Sequence, residues 1–276
     1  LRDPDPSIDM LSAPIAALAQ TPDVGVMSIE DTSDVSEILQ ERLLEAMRRA
    51  GVRRRLLVWR PVLAILPMIE DGHLKENSQI GVITHTETGL ALQVLKIRLD
   101  KSLAPERRTH GKNYACDIGL SNLRKTAVDL AIPPNAQRRN IDHYRHAITP
   151  DRMVLGEETG TELLKKSNGT WELLHISETL DLPDFILPEG FASQLDGCDQ
   201  IVFETPMAAD LSRDLSSKLE TLLGHQVMLL TPGSVAWGAR IAAGRLLDSV
   251  PIYYDFLPQI STIIEGQNGP ESFDLV

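Results

Sequence analysis

A polar turn between two apolar runs contains the residue types best suited to chemistry in this chain. Ile80–Ile83 and Leu90–Ile97 read as strands, and the turn between them, residues 84–89, reads THTETG. A turn of this kind can hold a phosphate when small residues let backbone N–H groups approach the anion and an acid holds Mg²⁺ through water. The sequence therefore raises the question of whether this turn binds a phosphate.

The cysteines and histidines form no recognisable catalytic or metal-binding pattern. Cys116 and Cys198 lie far apart, without a CxxC pair or a histidine-rich frame, which predicts neither a metal site nor a disulfide and favours a reducing cytoplasm. His143 and His146 could share a helix face, but no cysteine or frame of acidic residues of the kind that holds a metal accompanies them. The sequence predicts no metal, and it identifies no catalytic residue.

Composition restricts the classes of partner. The chain has 276 residues, enough for two lobes, and a net charge of −12. Nucleic acids and anionic membranes require a basic face, so this charge argues against both as partners. No run reaches the roughly 18 apolar residues of a membrane helix, and no signal peptide is recognisable. A cytoplasmic location is the expectation.

Strands and helices alternate along the chain, which favours a layered α/β fold. The predicted strands are 24–29, 55–59, 80–83, 90–97, 162–166, 171–176, 200–203 and 226–230. The predicted helices are 12–20, 35–51, 61–69, 120–131, 210–223 and 234–247. Residues 100–115 and the tail after residue 258 read as loops.

Four stretches in this order carry a resemblance to a known family, and a fifth supports it. They are VGVMSIEDTSDVSEILQERLLEAMRRAGV (24–52), LVWRPVLAIL (57–66), the hairpin 80–95, TPGSVAWGARIAA (231–243) and, as the fifth, GLSNL (119–123). Together they resemble the actin, sugar-kinase and heat-shock-chaperone ATPase superfamily, and most closely the seventy-kilodalton heat-shock chaperones. In that family the hairpin is the second phosphate loop, and the last helix packs near the adenine.

The resemblance implies an actin-like ATPase fold with ribonuclease-H-like layered sheets and flanking helices. It implies a partial first lobe over 1–72 and a second lobe over 73–258, with an inserted subdomain at about 133–190 and a tail over 259–276. The family's first phosphate hairpin, an Asp-x-Gly-Thr turn, should lie upstream of residue 22, and residues 1–21 do not contain it. A first lobe without those strands leaves a sheet edge that needs cover.

The phosphate hairpin departs from the family pattern at its key positions. The family has Asp-x-Gly-Gly-Gly-Thr, whereas the acid is replaced here by Thr84 and the glycines by Thr86, Glu87 and Thr88. At ~4 Å and an effective dielectric of about 20, the charge of Glu87 would oppose a phosphate by ~4 kcal/mol per unit charge. Tight phosphate binding is not expected in this geometry.

The other implied nucleotide-site positions are altered too. Arg60 stands where the family has a glutamate near the metal; it stays protonated and cannot act as a general base, so it either contacts phosphate or forms a structural salt bridge. Glu204 and Thr205 replace a Gly-Gly pair that lies against the purine. Gly233 and Gly238 complete the candidate nucleotide-binding residues, and Gly238 is expected to pack helices together.

Aromatic residues are the candidate partner-binding positions. Trp171 follows a predicted hairpin turn at residues 168–169; it either packs on its own sheet or, if exposed, contacts a partner. Tyr253, Tyr254 and Phe256 form a dense cluster in a chain with 4% aromatic residues. The cluster is either core or a protein-binding patch.

Two functions remain open at this point. The first is a chaperone-like protein-interaction module with weak or absent nucleotide hydrolysis and a protein partner. The second is a chaperone-type ATPase that binds Mg-ATP or Mg-ADP in the interlobe cleft, where Arg60, Thr84, Thr86 and Thr88 would contact phosphate or its metal. The lost acid and glycines favour the first.

Overall fold

The fold is mixed α/β, as predicted. The computed structural model describes residues 7–17, 22–32, 35–132, 154, 161–166, 168–175, 180–255, 261–266 and 269–274. The helices are α1 (Ile8–Ala16), α2 (Glu37–Arg49), α3 (Arg60–Glu70), α4 (Leu120–Ala131), α5 (Ala209–Leu223) and α6 (Ser234–Leu247), with a 3₁₀ turn at Ala192–Leu195. The strands are β1 (Val24–Ile29), β2 (Arg54–Trp59), β3 (Gln79–His85), β4 (Gly89–Asp100), β5 (Ser102–Arg107), β6 (Lys112–Ala115), β7 (Thr161–Lys165), β8 (Trp171–His175), β9 (Gln200–Glu204), β10 (Met228–Leu229), β11 (Ser261–Gly266) and β12 (Gly269–Asp274).

A six-stranded mixed sheet forms the centre of the described structure. Its order is β10-β9-β3-β4-β5, and β6 also pairs with β4. Strands β3, β4 and β5 form an antiparallel meander, whereas β9 and β10 run parallel to β3. Side chains alternate along β3, so Ile80 and Val82 face one core and Ile83 faces the other. Both faces of the sheet are therefore buried along β3.

A separate two-stranded parallel sheet consists of β1 and β2. Parallel neighbours need a crossover connection, and α2 supplies it. Ser36 caps the start of α2 by accepting a hydrogen bond from the Leu39 N–H at 3.2 Å. An added Cβ at Gly25 would lie 2.7 Å from Met47, so the glycine lets α2 pack closely on β1.

Helices α3 and α6 pack against each other on one face of the six-stranded sheet. The α3 residues Val62 to Leu66 are fully buried, and Pro61 stands in the first turn, where a missing N–H costs nothing. At Gly238 a Cβ would lie deep inside van der Waals contact with the Leu63 carbonyl oxygen. The backbones of the two helices therefore touch at this point.

Residues 250–255 extend the sheet beyond β5. The Tyr254 N–H donates to the Pro105 carbonyl oxygen at 2.8 Å, and the Arg107 N–H donates to the Tyr254 carbonyl oxygen at 2.8 Å. Pro105 has no N–H to donate, and this edge position tolerates it.

A buried arginine links the two sheets through this segment. The Arg107 guanidinium lies 4.0 Å from the Trp59 ring centroid and pairs with Asp31 and, at 2.8 Å, with Asp255. The Trp59 indole N–H donates to the Asp255 carboxylate at 3.3 Å. Burial raises the pKa of Asp31, although Arg107 opposes that rise. Residues from the loop after β1, the ends of β2 and β5, and the chain beyond α6 thus converge on one ion cluster.

Two loop predictions are wrong. Residues 100–115 contain β5 and β6, and the tail contains the β11–β12 hairpin. Charged residues and Pro105 hide the strand pattern of β5, and its outer edge pairs with Tyr254, far along the chain. The hairpin predicted around the Asn168-Gly169 turn is confirmed as β7–β8. Most of the predicted inserted subdomain, 133–190, lies outside the described residues.

The first helix is shifted relative to its prediction. It runs from Ile8 to Ala16 rather than over 12–20, because Ser7 caps it by accepting a hydrogen bond from the Met10 N–H at 3.3 Å. None of the helices in the part of the chain that the structure describes is long and apolar enough to cross a membrane.

Candidate functional site

The carboxyl ends of β1, β2 and β9 meet at a three-residue ion cluster. Glu30 follows β1, Arg60 follows β2, and Glu204 ends β9. Arg60 Nε donates to Glu204 Oε2 at 2.8 Å, and a terminal nitrogen of Arg60 donates to Glu30 Oε1 at 2.7 Å. The side chains of Arg60 and Glu204 are 13% and 10% exposed, whereas that of Glu30 is 38% exposed. The guanidinium bridges the two sheets at their shared edge.

The charges of this cluster are mutually stabilised. Burial raises the pKa of Glu204, and the opposing pull of Arg60 limits that rise. Burial alone would lower the pKa of Arg60, but attraction to Glu204 and Glu30 raises it above its usual value. Arg60 is therefore a permanently charged group that is already occupied by two carboxylates. The sequence leaves two roles open for Arg60, contact with a phosphate or a structural salt bridge. In the structure Arg60 forms the salt bridge at the strand end.

The turn after β3 is filled by its own side chains. The Gly89 N–H donates to Thr86 Oγ1 at 3.1 Å, and the Thr86 hydroxyl donates to Asn113 Oδ1 at 3.1 Å. The Asn113 amide in turn donates to Thr88 Oγ1 at 2.9 Å. These bonds occupy polar groups that a phosphate-binding turn presents to its anion.

The first N–H groups of α4 also bond to this turn. The Leu120 N–H donates to the Thr86 carbonyl oxygen, and the Ser121 N–H donates to the Glu87 carbonyl oxygen, both at 3.0 Å. The Glu87 carboxylate accepts from the Ser121 hydroxyl and from Arg124, both at 2.7 Å. Its charge therefore lies at the start of α4, where it complements the helix dipole.

His85, at the end of β3, is a buried polar residue that the sequence does not predict for the site. The 2.7 Å contact between Nε2 and the Ile118 carbonyl oxygen requires Nε2 to donate. Nδ1 then accepts from the Thr205 hydroxyl at 3.0 Å. Burial lowers the pKa of His85 to about 4, so the imidazole is neutral at pH 7. No sequence pattern marks this role, because both partners lie on other segments.

This buried histidine should make the protein sensitive to acid. His85 takes up a proton near pH 6.5 when unfolded but only near pH 4 when folded, so the unfolded state binds more protons between these values. Stability from this group is complete above about pH 6.5 and is lost as the pH falls towards 4. Between pH 7 and 4.5, denaturant unfolding should show the wild type losing about 2–3 kcal/mol more than His85→Gln. Equal losses in the two proteins would contradict the assignment.

A cavity of about 610 Å³ lies beside the ion cluster, between β1, the end of β9 and the start of α6. It is lined by Val26, Ser28, Glu204, Thr205, Pro206, Pro232, Gly233, Val235, Ala236 and Ala239. Among the predicted nucleotide-binding residues, it brings together Glu204, Thr205 and Gly233. A small organic ligand with a polar group near Thr205 would fit this volume.

The other predicted nucleotide-binding residues lie elsewhere. Thr84 is buried in β3 next to Glu204 in register, and Gly238 packs on α3. Thr86, Glu87 and Thr88 form the filled turn and do not line the cavity. The predicted set is therefore divided between the ion cluster (Arg60), strand β3 (Thr84), the cavity, the turn and the helix contact.

The predicted partner-binding residues differ in exposure. Trp171 is 59% exposed on the β7–β8 hairpin, with Lys165 Nζ 5.9 Å from its ring. Tyr253 packs partly buried against the core, and the Tyr254 hydroxyl donates to the Asp100 carboxylate. Phe256 lies outside the described residues.

Comparison with protein-family models and with curated proteins finds no match to this chain. Within the ranges that the structure describes, no group of three or more His, Cys, Asp or Glu side chains is placed to hold a metal ion. Any assignment of function therefore depends on the geometry of the site itself.

Proposed function

We propose that this chain is a chaperone-like protein-interaction module with an actin-like ATPase fold, in which nucleotide hydrolysis is weak or absent. The observation that carries the proposal is the Arg60 bridge between Glu30 and Glu204. The bridge joins the two sheets at the place where the family resemblance puts a metal, a water and a phosphate. An internal ion pair takes the position of a ligand.

The sheet topology supports the fold in this proposal. The order β5-β4-β3-β9-β10 combines an antiparallel meander with two parallel strands, the arrangement expected of a ribonuclease-H-like sheet. In this proposal the β1–β2 pair, joined by α2, is part of a first lobe. Helices α3 and α6 pack between these two units, which is consistent with a cleft flanked by two lobes. Fold alone does not establish activity.

The chemistry of the site supports weak or absent hydrolysis. Hydrolysis of a phosphoanhydride needs a group to orient water and an acid to hold the metal. A guanidinium serves neither role, because it stays protonated. The first α4 amides and the turn hydroxyls are already hydrogen bonded within the protein. A phosphate would have to break these bonds and approach Glu204 and Glu30.

One observation favours the alternative, a chaperone-type ATPase that binds Mg-ATP or Mg-ADP. The cavity of about 610 Å³ has room for a nucleoside beside Thr205 and Gly233. In that case Arg60 would have to exchange a carboxylate for a phosphate. This exchange would open the bridge between the two sheets.

Calorimetric titration of the full chain with Mg-ATP and with Mg-ADP distinguishes the two functions, with thermal melts alongside. We expect no heat and no change in melting temperature at millimolar nucleotide. Micromolar binding with a matching rise in melting temperature would overturn the proposal in favour of the ATPase.

The Glu87→Gly variant tests the turn. If the turn held phosphate, removing this charge should strengthen nucleotide binding; we expect no gain, because the carboxylate lies against Ser121 and Arg124. Since Glu87 is an exposed pairing partner, the loss of stability should be about 1 kcal/mol or less. Arg124→Ala is the matched control, because it breaks the same pair without adding a glycine. Tighter nucleotide binding by Glu87→Gly alone would contradict this geometry.

A further inference from the structure

One face of α6 is exposed to solvent, although its residue types are ones enriched at protein–protein interfaces. Trp237, Arg240, Gly244 and Leu247 follow one another at spacings of three, four and three residues, so they share one side of the helix. We call them the α6 outer face. Trp237 is 51% exposed and Leu247 is 55% exposed. The four positions span about 15 Å along the helix.

The composition of α6 is unusual for a surface helix. Its sequence, SVAWGARIAAGRLL, contains no acidic residue, whereas a surface helix normally carries polar residues on its outer side. Arg245 does not supply that polarity, because it is buried and donates to Glu70 at 2.6 Å and to the Leu103 carbonyl oxygen at 2.7 Å. Apart from Arg240, the exposed side of α6 is therefore apolar, and an exposed apolar patch is typical of a contact surface.

The charge on this face is a single, positioned arginine. The Arg240 guanidinium lies 4.9 Å from the Trp237 ring centroid, a cation–π contact. Among the residues that the structure describes, no carboxylate pairs with Arg240. A planar guanidinium can match a carboxylate through two parallel hydrogen bonds.

Gly244 leaves space between the two apolar residues of the face. A Cβ added there would meet no atom within 4 Å, so the surface is low between Trp237 and Leu247. An apolar side chain of a partner could occupy this depression. Aromatic anchors beside an arginine are the residues that contribute most to protein–protein binding energy.

We propose that the α6 outer face docks an acidic amphipathic helix of another protein. The partner places a carboxylate on Arg240 and apolar side chains against Trp237 and Leu247. This inference rests on the proposed function as an interaction module and specifies its surface and the chemistry of its partner.

Charge complementarity selects this occupant over two others. In a symmetric dimer each outer face would meet an identical face, which carries an arginine and no acid. The net charge of −12 opposes any polyanion at long range, and a nucleic acid backbone needs several cations where this face offers one, Arg240. An acidic helix satisfies both the arginine and the apolar residues.

Two synthetic peptides of 18 residues test the proposal by calorimetric titration of the full chain. Both carry leucines on one helical face; one has glutamates flanking them, and the other has lysines at the same positions. We expect the acidic peptide to bind at least tenfold more tightly than the basic one, with Trp237→Ala weakening it at least tenfold. Arg240→Glu should reverse the preference. Ile38→Ala removes a comparably exposed apolar side chain from α2 and should change nothing.

Gly244→Gln supplies a second, structurally mild test. It fills the depression with a good helix former, so it should block the acidic peptide while the melting temperature changes by no more than about 2 °C. Equal binding of both peptides, or unchanged binding by Trp237→Ala, would overturn the proposal. So would a dimer seen by sedimentation that Trp237→Ala abolishes, or tight binding of a single-stranded RNA oligonucleotide.

The outcomes separate this proposal from the proposed function. Selective peptide binding together with micromolar Mg-ATP binding would contradict the proposed function, which expects no nucleotide binding. It would still support the α6 outer face as a docking surface. No peptide selectivity together with silent nucleotide titrations would overturn the docking surface alone.

Discussion

Replacing Arg60 by alanine should lower the free energy of unfolding by about 3–5 kcal/mol. The substitution leaves Glu204 buried at the end of β9 without the cation that accompanies it. It also removes the bridge to Glu30, so the two sheets lose their shared contact at this edge. Denaturant unfolding of the wild type and the variant, at the same pH, measures the difference.

The pH dependence of this loss identifies its cause. Arg60 lowers the pKa of Glu204 against the effect of burial, so removing Arg60 raises that pKa further. A carboxyl whose folded pKa exceeds its unfolded pKa binds more protons when folded, and stability is therefore lost as the pH rises through the folded pKa. The defect of Arg60→Ala should shrink on going from pH 7 to pH 5.

A double variant provides the control for Arg60. Arg60→Ala combined with Glu204→Gln removes both charges and should recover much of the stability lost by Arg60→Ala alone. A loss below about 1 kcal/mol for Arg60→Ala, or no recovery in the double variant, would mean that the bridge is not a structural support.

Replacing Gly238 by alanine should cost at least about 3 kcal/mol. The new methyl group would fall on the Leu63 carbonyl, where α6 touches the backbone of α3. Backbone cannot rotate away as a flexible side chain can, so the two helices must separate. Thermal melts and denaturant unfolding should both show the loss.

Gly244 offers a matched control in the same helix. A methyl group there meets open space, and alanine is the better helix former, so Gly244→Ala should raise stability by about 0.5–1 kcal/mol. If both variants changed stability equally, helix propensity rather than the α3–α6 contact would be the cause.

The sequence predicts well the parts of the fold that local patterns encode. The β3–β4 hairpin and α6 lie close to their predicted bounds, because apolar alternation and helical spacing are properties of short segments. The strand β5 could not be predicted in this way. Its edge is completed by Tyr254, almost 150 positions along the chain, and a local pattern contains no information about such a neighbour.

The candidate site likewise combines residues that are visible in the sequence with contacts that only the fold creates. The unusual residue at position 60 is visible in the sequence, but its partners Glu30 and Glu204 are brought to it by three different strands. His85 reads as part of a turn, yet β3 continues through it and buries it. Its hydrogen-bond partners become visible only when the strands are assembled.

The ion cluster around Arg107 has a consequence for how the chain folds. The hydrogen bond from Trp59 to Asp255 spans 196 residues, and the bond from Arg107 to Asp255 spans 148. Closing loops of this length costs entropy before any contact compensates for it, so such contacts form late. During synthesis, Arg107 cannot pair with Asp255 until residue 255 has left the ribosome. The nascent protein therefore holds an incompletely neutralised cation in its unfinished core until synthesis has passed that point.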